Sequence, residues 1–264
     1  QSIRSSVDAS SIRVGRLFSY EIIVVDNGSK DQTSLVCRQM GVLPIESLAT
    51  TIGALRNVGA RSASGSVLVF LDADITLLPD WSECFPEVFK MLIESPSNIS
   101  GSKVLPADPA TFLSRVWFQD NKKDLGYMNS AHLLIHRDFF AKLSGFDESL
   151  VSGEDSDLSR RAIILGGSIR PVSGLKVIHH GSPSNLWEFF RRERWHGHGD
   201  FQSWEILRKS RPSHLAIANL IAMITAVVGS IFVSPWGLAM YPLALGCLSG
   251  ASAFHRVGYK LEKR

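Results

Sequence analysis

Cysteine is scarce in this sequence, and charge of neither sign dominates. Cys37, Cys84 and Cys247 are too few and too widely spaced for a disulfide framework or a zinc site, so we expect a reducing compartment. Lys and Arg number 28 against 25 Asp and Glu, a formal net charge of +3. This balance, without a long basic stripe through the α/β part of the chain, predicts no nucleic acid among the partners.

Several sequence signatures are also missing. Neither a Walker A sequence nor a Gly-x-Gly-x-x-Gly run after a strand is present, which excludes an ordinary Rossmann dinucleotide site. Residues 1–18 show no pattern of a charged stretch followed by an apolar one, as a signal peptide would. They predict a modest helix that leads to a strand, with no strand before it.

Long uncharged runs are confined to the C-terminal end. Residues 214–233 contain no Asp, Glu, Lys or Arg, over a length close to the roughly 20 residues that span a bilayer. A second uncharged stretch, residues 236–254, follows Ser234-Pro235, and basic residues lie at both outer flanks. We therefore predict a transmembrane helical hairpin at residues 214–255 with both ends in the cytoplasm. A buried or interfacial hairpin is the alternative.

A continuous apolar run from Val67 to Leu71 ends at two carboxylates, Asp72 and Asp74. Such a run is typical of a strand covered on both faces, and ligands collect where strands of this kind end. Two carboxylates so close together repel each other, unless a divalent cation that prefers oxygen ligands lies between them. A solvated Asp-x-Asp turn is the alternative explanation.

A second strand-like run, residues 21–26, ends at Asp26 and is followed by the turn residues Asn27-Gly28. Strand, helix, strand, helix and strand follow one another over residues 21–71, which predicts an α/β fold with a parallel sheet and right-handed crossovers. Asp26 would then face the same crevice as Asp72 and Asp74. Its carboxylate could accept hydrogen bonds from a nucleobase or a ribose.

A second acidic cluster, Glu154, Asp155 and Asp157, opens a predicted helix that ends near residue 165. Ser152-x-x-Asp155 resembles a capping box, and acids in a first turn complement the helix dipole, so capping alone explains the pattern. A catalytic role is the alternative. Farther along, His179 and His180 precede Gly181, and they are either structural or contact a metal or phosphate.

Composition changes again at residues 183–213, where aromatic side chains alternate with Arg191, Arg192 and Arg194. Aromatic residues mixed with cations, directly before apolar runs, are typical of a helix that lies at a membrane interface.

Taken together, these motifs resemble those of family 2 glycosyltransferases, and they occur in the family's order over roughly residues 15–200. Residues 21–31, 56–59 and 70–74 are similar to the half that binds the nucleotide sugar. Residues 140–148, 153–158, 161 and 179–181 are similar to the half that binds the acceptor. The resemblance implies a GT-A fold, an α/β architecture with a mostly parallel, Rossmann-like sheet flanked by helices. It divides the chain at 1–105, 106–182, 183–213 and 214–255 into donor half, acceptor half, membrane-proximal segment and hairpin.

The resemblance also implies residue roles. Asp155, with Glu154 beside it, is the expected catalytic base, and Mg or Mn is the expected cofactor, on Asp72, Asp74 and His180. The residues expected to contact the nucleotide sugar are Asp26, Asn27, Arg56, Asn57, Asp72, Arg192 and Arg194. The implied reaction is inverting transfer from a nucleotide-diphosphate sugar to a glycan or polyprenyl-linked acceptor. We expect it at the inner (plasma) membrane, with the catalytic domain in the cytoplasm.

Two departures from the family pattern keep alternatives open. The family's first strand, which lines the nucleobase pocket, has no counterpart, so the donor half looks incomplete at its N-terminus. Arg191 stands where processive members have the Gln of Gln-x-x-Arg-Trp, so processivity is not implied. A truncated GT-A-like module, anchored at a membrane and binding nucleotide without turnover, is therefore one alternative. A sugar-nucleotide nucleotidyltransferase is another, although the Gly-rich basic phosphate loop it would require is absent.

Overall fold

The structure is a computed structural model that describes residues 1–15, 18–109, 126–181, 183, 185–200, 204–209 and 211–232. The chain divides into two compact units, residues 1–196 and residues 197–264. The described strands are β1 (Val25–Asp26), β2 (Ile45–Glu46), β3 (Val67–Leu71), β4 (Ile75–Leu77), β5 (Asn98–Gly101), β6 (Val104–Pro106), β7 (His132–His136), β8 (Ser168–Pro171) and β9 (Val177–His179). The described helices are α1 (Ser2–Val14), α2 (Thr33–Gln39), α3 (Ile52–Ser62), α4 (Pro79–Glu94), α5 (Arg137–Lys142), α6 (Glu154–Ile164), α7 (Leu186–Asp200), α8 (Trp204–Lys209) and α9 (Arg211–Phe232).

The strands pair in three groups: β1 with β2, then β3-β7-β5-β8, then β4-β9-β6. The α/β class is confirmed, but the pairing differs from the mostly parallel sheet that we predicted. Three of the six pairings among the described strands are antiparallel, including that of β3 with β7. Apolar periodicity identifies a buried strand, but it carries no information about the direction of the neighbouring strand.

Strand β3 is covered on both faces, as its continuous apolar run predicts. Leu68 and Phe70 belong to a core cluster that includes residues of α5 and α6. Val67, Val69 and Leu71 pack against a second cluster, which α1 and α4 supply. Alternate side chains of a strand point to opposite faces, so β3 holds the two layers of helices together.

The predicted N-terminal helix is present as α1, and residues 1–15 and 18–24 contain no strand. This helix has little apolar surface, yet it packs on α4 through small side chains. The hydroxyl of Ser10 donates to the carbonyl oxygens of Ser6 at 2.8 Å and of Ser82 at 3.1 Å. These bonds satisfy the buried hydroxyl of Ser10. Without them, its burial beside Val7 and the core would destabilise the fold.

Helix α6 begins differently from the predicted capping box. Its N-cap is Gly153, with φ of 81°, and within residues 126–181 no side chain makes the capping hydrogen bond at this helix. Ser152 is therefore not the N-cap residue. Asp157, in the first turn, forms ion pairs with Arg160 at 2.6 Å and with Arg161 at 2.7 Å. Glu154, Asp155 and Asp157 all lie in the first turn, where acids complement the helix dipole, as predicted.

The apolar C-terminal region is described only in part. Within α9, Ser213–Ile231 is long and apolar enough to cross a membrane, with a mean hydropathy of 1.9. The remainder of the predicted hairpin, residues 233–255, lies outside the described residues.

Candidate active site

One arginine joins the two acidic clusters that the sequence analysis singled out. The guanidinium of Arg56, on α3, donates to Oδ1 of Asp72 at 2.5 Å and to Oε1 of Glu154 at 2.7 Å. Its side chain is 13% exposed, and it lies over the ring of Phe146 at 5.8 Å from the ring centroid. A buried cation in this position offsets the charge of one carboxylate from each cluster.

Glu154 and Asp155 lie next to each other in different surroundings. Glu154 is buried, and its Oε1 also accepts the hydroxyl hydrogen of Ser130 at 2.9 Å. Asp155 is partly exposed and accepts only backbone N–H groups in the described contacts, from Ser156 at 2.7 Å and from Ser130 at 3.4 Å. Burial, and then the charge of Glu154, raise the pKa of Asp155 to about 6. A carboxylate with such a pKa accepts protons readily near neutral pH.

Ser130 and Tyr127 are residues that sequence reasoning missed. Ser130 contacts both carboxylates of the second cluster from the segment that leads into β7. Burial raises the pKa of Tyr127 to about 12, and the charges of Asp155 and Glu154 add to the effect. Neither residue belongs to a recognisable motif, so only the tertiary structure assigns them to the site.

Asp72, Asp74 and His179 form the second part of the site. One ligand atom from each of the three lies within 4.8 Å of the others. Nε2 of His179 is 3.6 Å from Oδ1 of Asp74, and His179 is buried. Burial lowers the pKa of His179, which keeps its imidazole neutral. Two carboxylates and a neutral imidazole suit a divalent cation such as Mn²⁺.

The histidine in this cluster is His179, whereas the sequence motifs predicted its neighbour, His180. Nε2 of His180 lies 2.9 Å from the hydroxyl of Thr76, and the residue is exposed. His179 ends β9, and successive side chains on a strand point to opposite faces, so only one of the two histidines can face Asp74. The cluster in the described residues therefore contains His179, and a metal contact by His180 stays a prediction.

Asn57 makes structural contacts in this fold, and a nucleotide contact by this residue stays a prediction. Its amide oxygen accepts from the backbone N–H of Phe146 at 2.9 Å, and its amide nitrogen donates to the carbonyl of Phe146 at 2.8 Å. The same nitrogen donates to Glu148 at 3.0 Å. A Cβ on Gly145 would lie 2.6 Å from the Asn57 oxygen, so glycine is required there. Asn57 therefore holds the loop that precedes α6.

Asp26 ends β1 and Asn27 follows it, as predicted. Asp26 is buried, and its Oδ1 accepts both the backbone N–H of Ser29 at 2.9 Å and its hydroxyl at 2.6 Å. Asn27 is exposed. This local turn fixes the Asp26 carboxylate at the end of its strand, and a nucleotide contact by either residue stays a prediction.

Of the two arginines predicted to contact the nucleotide sugar, Arg192 lies close to the first acidic cluster and Arg194 does not. Arg192 donates to the carbonyl of Gly181, and its charge helps to lower the pKa of His179, so it lies near the Asp72–Asp74–His179 cluster. A cleft of about 540 Å³ is lined there by Gly181, Pro183, Glu188, Arg191, Arg192 and Trp195. Residues 188, 191, 192 and 195 share one helical face, whereas Arg194 is exposed on another. The second arginine that lines this cleft is therefore Arg191, not Arg194.

The sequence matches known glycosyltransferases. Residues 7–101 match the family model described as glycosyl transferase family 2. The glycosyltransferase AglE of Haloferax volcanii is 24% identical, over 83% of this chain and 75% of the relative. The pre-mycofactocin glycosyltransferase of Mycobacterium tuberculosis is 26% identical, over 67% of this chain and 40% of the relative.

Solved structures share the fold. A mannosyltransferase from Pyrobaculum calidifontis, in complex with GDP-Man and Mn²⁺, superposes with a TM-score of 0.54 and 18% identity, over 92% of this chain and 71% of that one. S. aureus TarS in complex with UDP-GlcNAc superposes with a TM-score of 0.51 and 17% identity, over 86% of this chain and 71% of that one. The motifs, the family match over residues 7–101 and the architecture agree: the chain has the GT-A fold, and its N-terminal part is similar to family 2 glycosyltransferases.

Proposed function

We propose that the protein is an inverting glycosyltransferase with two acidic groups of different function. The observation that carries the proposal is the bridge by Arg56 between Asp72 of the first cluster and Glu154 of the second. One guanidinium can contact both carboxylates only if the two clusters lie side by side, as they would along one crevice. A donor held at the first cluster would then be within reach of a base in the second.

Asp72, Asp74 and His179 form the donor end of the crevice. Their atoms are close enough for a single divalent cation, Mg²⁺ or Mn²⁺. Such a cation, when bound, supplies positive charge to the diphosphate of a nucleotide sugar. Arg192 adds a second positive charge beside the cluster, which favours the same anion. Asp26 and Asn27, at the end of β1, are proposed to contact the nucleoside.

Asp155 is the proposed catalytic base. Its carboxylate takes the proton of the acceptor hydroxyl as the hydroxyl oxygen forms a bond to the anomeric carbon. The bond from that carbon to the diphosphate breaks on the opposite face, and the nucleoside diphosphate leaves with the electron pair. General-base help of this kind contributes roughly 10²–10⁴-fold to the rate. Glu154 is buried and paired with Arg56, so it does not accept the proton. Its proposed role is to hold Arg56 and Ser130 in place.

The proposed acceptor is a glycan or a lipid-linked glycan at a membrane. Helix α7 exposes Leu186, Trp187 and Phe190 beside its arginines, and the rings of Trp187 and Phe190 stack at 6.1 Å. Aromatic and basic side chains on one helix are typical of a membrane interface. The apolar helix α9 follows within the same chain, so we propose the inner membrane as the location, with the catalytic unit in the cytoplasm.

Two substitutions separate the roles of the acidic groups. Asp155→Asn should abolish sugar transfer and leave metal-dependent nucleotide binding intact, whereas Asp74→Asn should weaken that binding. The measurements are transfer from a panel of UDP- and GDP-sugars, with and without Mn²⁺, and nucleotide binding by titration calorimetry. Asp138→Asn is the matched control, because Asp138 is an exposed acid at the start of α5.

Each outcome separates the proposal from its alternatives. Transfer by Asp155→Asn at the wild-type rate would show that Asp155 is not the base. Nucleotide binding without transfer in the unmodified protein would favour the non-catalytic membrane module. Release of pyrophosphate from a nucleoside triphosphate would favour a nucleotidyltransferase.

A further inference from the structure

We propose that Gly181 is a positioning residue of the metal cluster. In this role, the absence of a side chain at residue 181 lets the Asp74 carboxylate lie beside His179, and the backbone of Gly181 connects both to Arg192. The inference rests on the proposed function, because it assigns a role to a residue outside the ligand set of that same site.

The steric observation concerns Asp74 and, to a smaller extent, His179. A Cβ on Gly181 would lie 2.1 Å from Oδ2 of Asp74 and 2.9 Å from Cε1 of His179. Carbon and oxygen atoms without a bond between them do not approach to 2.1 Å, so the carboxylate would have to move by more than about 1 Å to reach ordinary contact. The Asp74 oxygen thus occupies the space that a side chain at residue 181 would fill.

The backbone conformation of Gly181 does not by itself require glycine. Its φ lies outside the left-handed range in which Gly28, Gly145 and Gly153 are found. An alanine could adopt this conformation without strain. The constraint on residue 181 therefore comes from the neighbouring side chains of the metal cluster.

The peptide groups of Gly181 add two further contacts. Its N–H donates to Nδ1 of His179 at 3.1 Å, which holds the rotation of the imidazole with the proton of the neutral ring on Nε2, 3.6 Å from Oδ1 of Asp74. Its carbonyl accepts from Arg192 of α7. One residue therefore contacts a carboxylate, an imidazole and a guanidinium of the proposed donor site.

The test is Gly181→Ala in the full chain. Moving Asp74 away from Asp72 and His179 should weaken Mn²⁺ binding by roughly 10–100-fold, the usual effect of losing a partner that orients ligands. The free Mn²⁺ signal in electron paramagnetic resonance measures this affinity, without substrate and without turnover. Gly197→Ala is the matched control, because a Cβ there meets nothing within 4 Å.

A crystal structure of Gly181→Ala provides a readout that is independent of the metal. It should show the same backbone with the Asp74 carboxylate displaced. An unmoved carboxylate, or unchanged Mn²⁺ affinity in a protein whose parent binds Mn²⁺, would overturn the role of Gly181. If the parent protein binds no Mn²⁺, the metal part of the proposed function fails, and the position of Asp74 in the variant still decides the role of Gly181.

Discussion

Arg56 is the residue at which the two acidic clusters meet, and its environment explains why a cation is retained there. Glu154 is buried, and a buried carboxylate without a partner costs several kcal/mol, on the order of 3–5 when one member of a pair is removed. Asp72, by contrast, is partly exposed. Arg56 therefore has one buried partner, Glu154, and one partly exposed partner, Asp72.

The raised pKa of Asp155 predicts the pH dependence of the enzyme. A general base must be deprotonated, so activity should be lost as pH falls through about 6, well above the ordinary value of 3.8 for an aspartate. The measurement is kcat/KM between pH 5 and 8 with the identified donor and acceptor. A profile that stays flat down to pH 5 would contradict the assignment, as would an inflection of the same pKa in the residual activity of Asp155→Asn.

Strand β7 and helix α4 are joined by a buried histidine. Nε2 of His132 accepts from the indole N–H of Trp81 at 3.0 Å, so the ring proton is on Nδ1, which donates to the hydroxyl of Ser102 at 2.9 Å. Burial lowers the pKa of His132 to about 4. His132 is paired with Leu71, the residue before Asp72, so this network supports the strand that carries the first acidic cluster.

This network should make the protein less stable in acid. The folded-state pKa of His132 lies below its unfolded value of 6.5, so its contribution is complete above pH 6.5 and is lost as pH falls toward 4. The free energy of unfolding should fall by about 2 kcal/mol more between pH 7 and pH 5 in the parent than in His132→Gln. Urea titrations at the two pH values measure the difference.

The comparison with His132→Gln is needed because Asp155 changes the free energy of unfolding in the opposite direction as pH falls. Its raised folded-state pKa makes the folded protein bind a proton first as pH falls, which stabilises the fold. Both proteins contain Asp155, so its contribution cancels in the difference. Equal loss of stability in the two proteins would show that His132 is not the group responsible.

At the scale of the whole molecule, the apolar helix α9 is the feature that distinguishes this chain from a GT-A domain alone. Most of its apolar side chains are exposed, among them Ile221 and Ile224 near its centre. We expect the full chain to remain in the membrane pellet after high salt and alkaline carbonate. Ile221→Lys with Ile224→Lys should release it, because each lysine near a helix centre costs about 3 kcal/mol on insertion.

The control for this experiment is Leu43→Lys with Leu48→Lys, two exposed apolar residues of the first unit. This variant should stay in the pellet. Extraction of the parent protein by salt alone would indicate electrostatic adsorption through the arginines of α7, without insertion of α9.

The sequence alone determined the parts of this protein that depend on local pattern. The buried strand before Asp72 and Asp74, the helix that begins at Glu154 and the apolar run at the C-terminal end are all readable because side-chain periodicity reflects local geometry. The order of the motifs was enough to indicate the family. The division into donor half, acceptor half and membrane segments stays a prediction.

Only the tertiary structure decided which of those residues meet. Arg56 and Glu154 are 98 positions apart, and Asn57 reaches Phe146 across 89 positions, so no local pattern could assign one to the site and the other to a loop. The choice of His179 over His180 depends on which face of β9 points at Asp74, and Gly181 matters because of a carboxylate more than a hundred residues earlier. Sequence identifies the chemical groups, whereas long-range packing selects their partners.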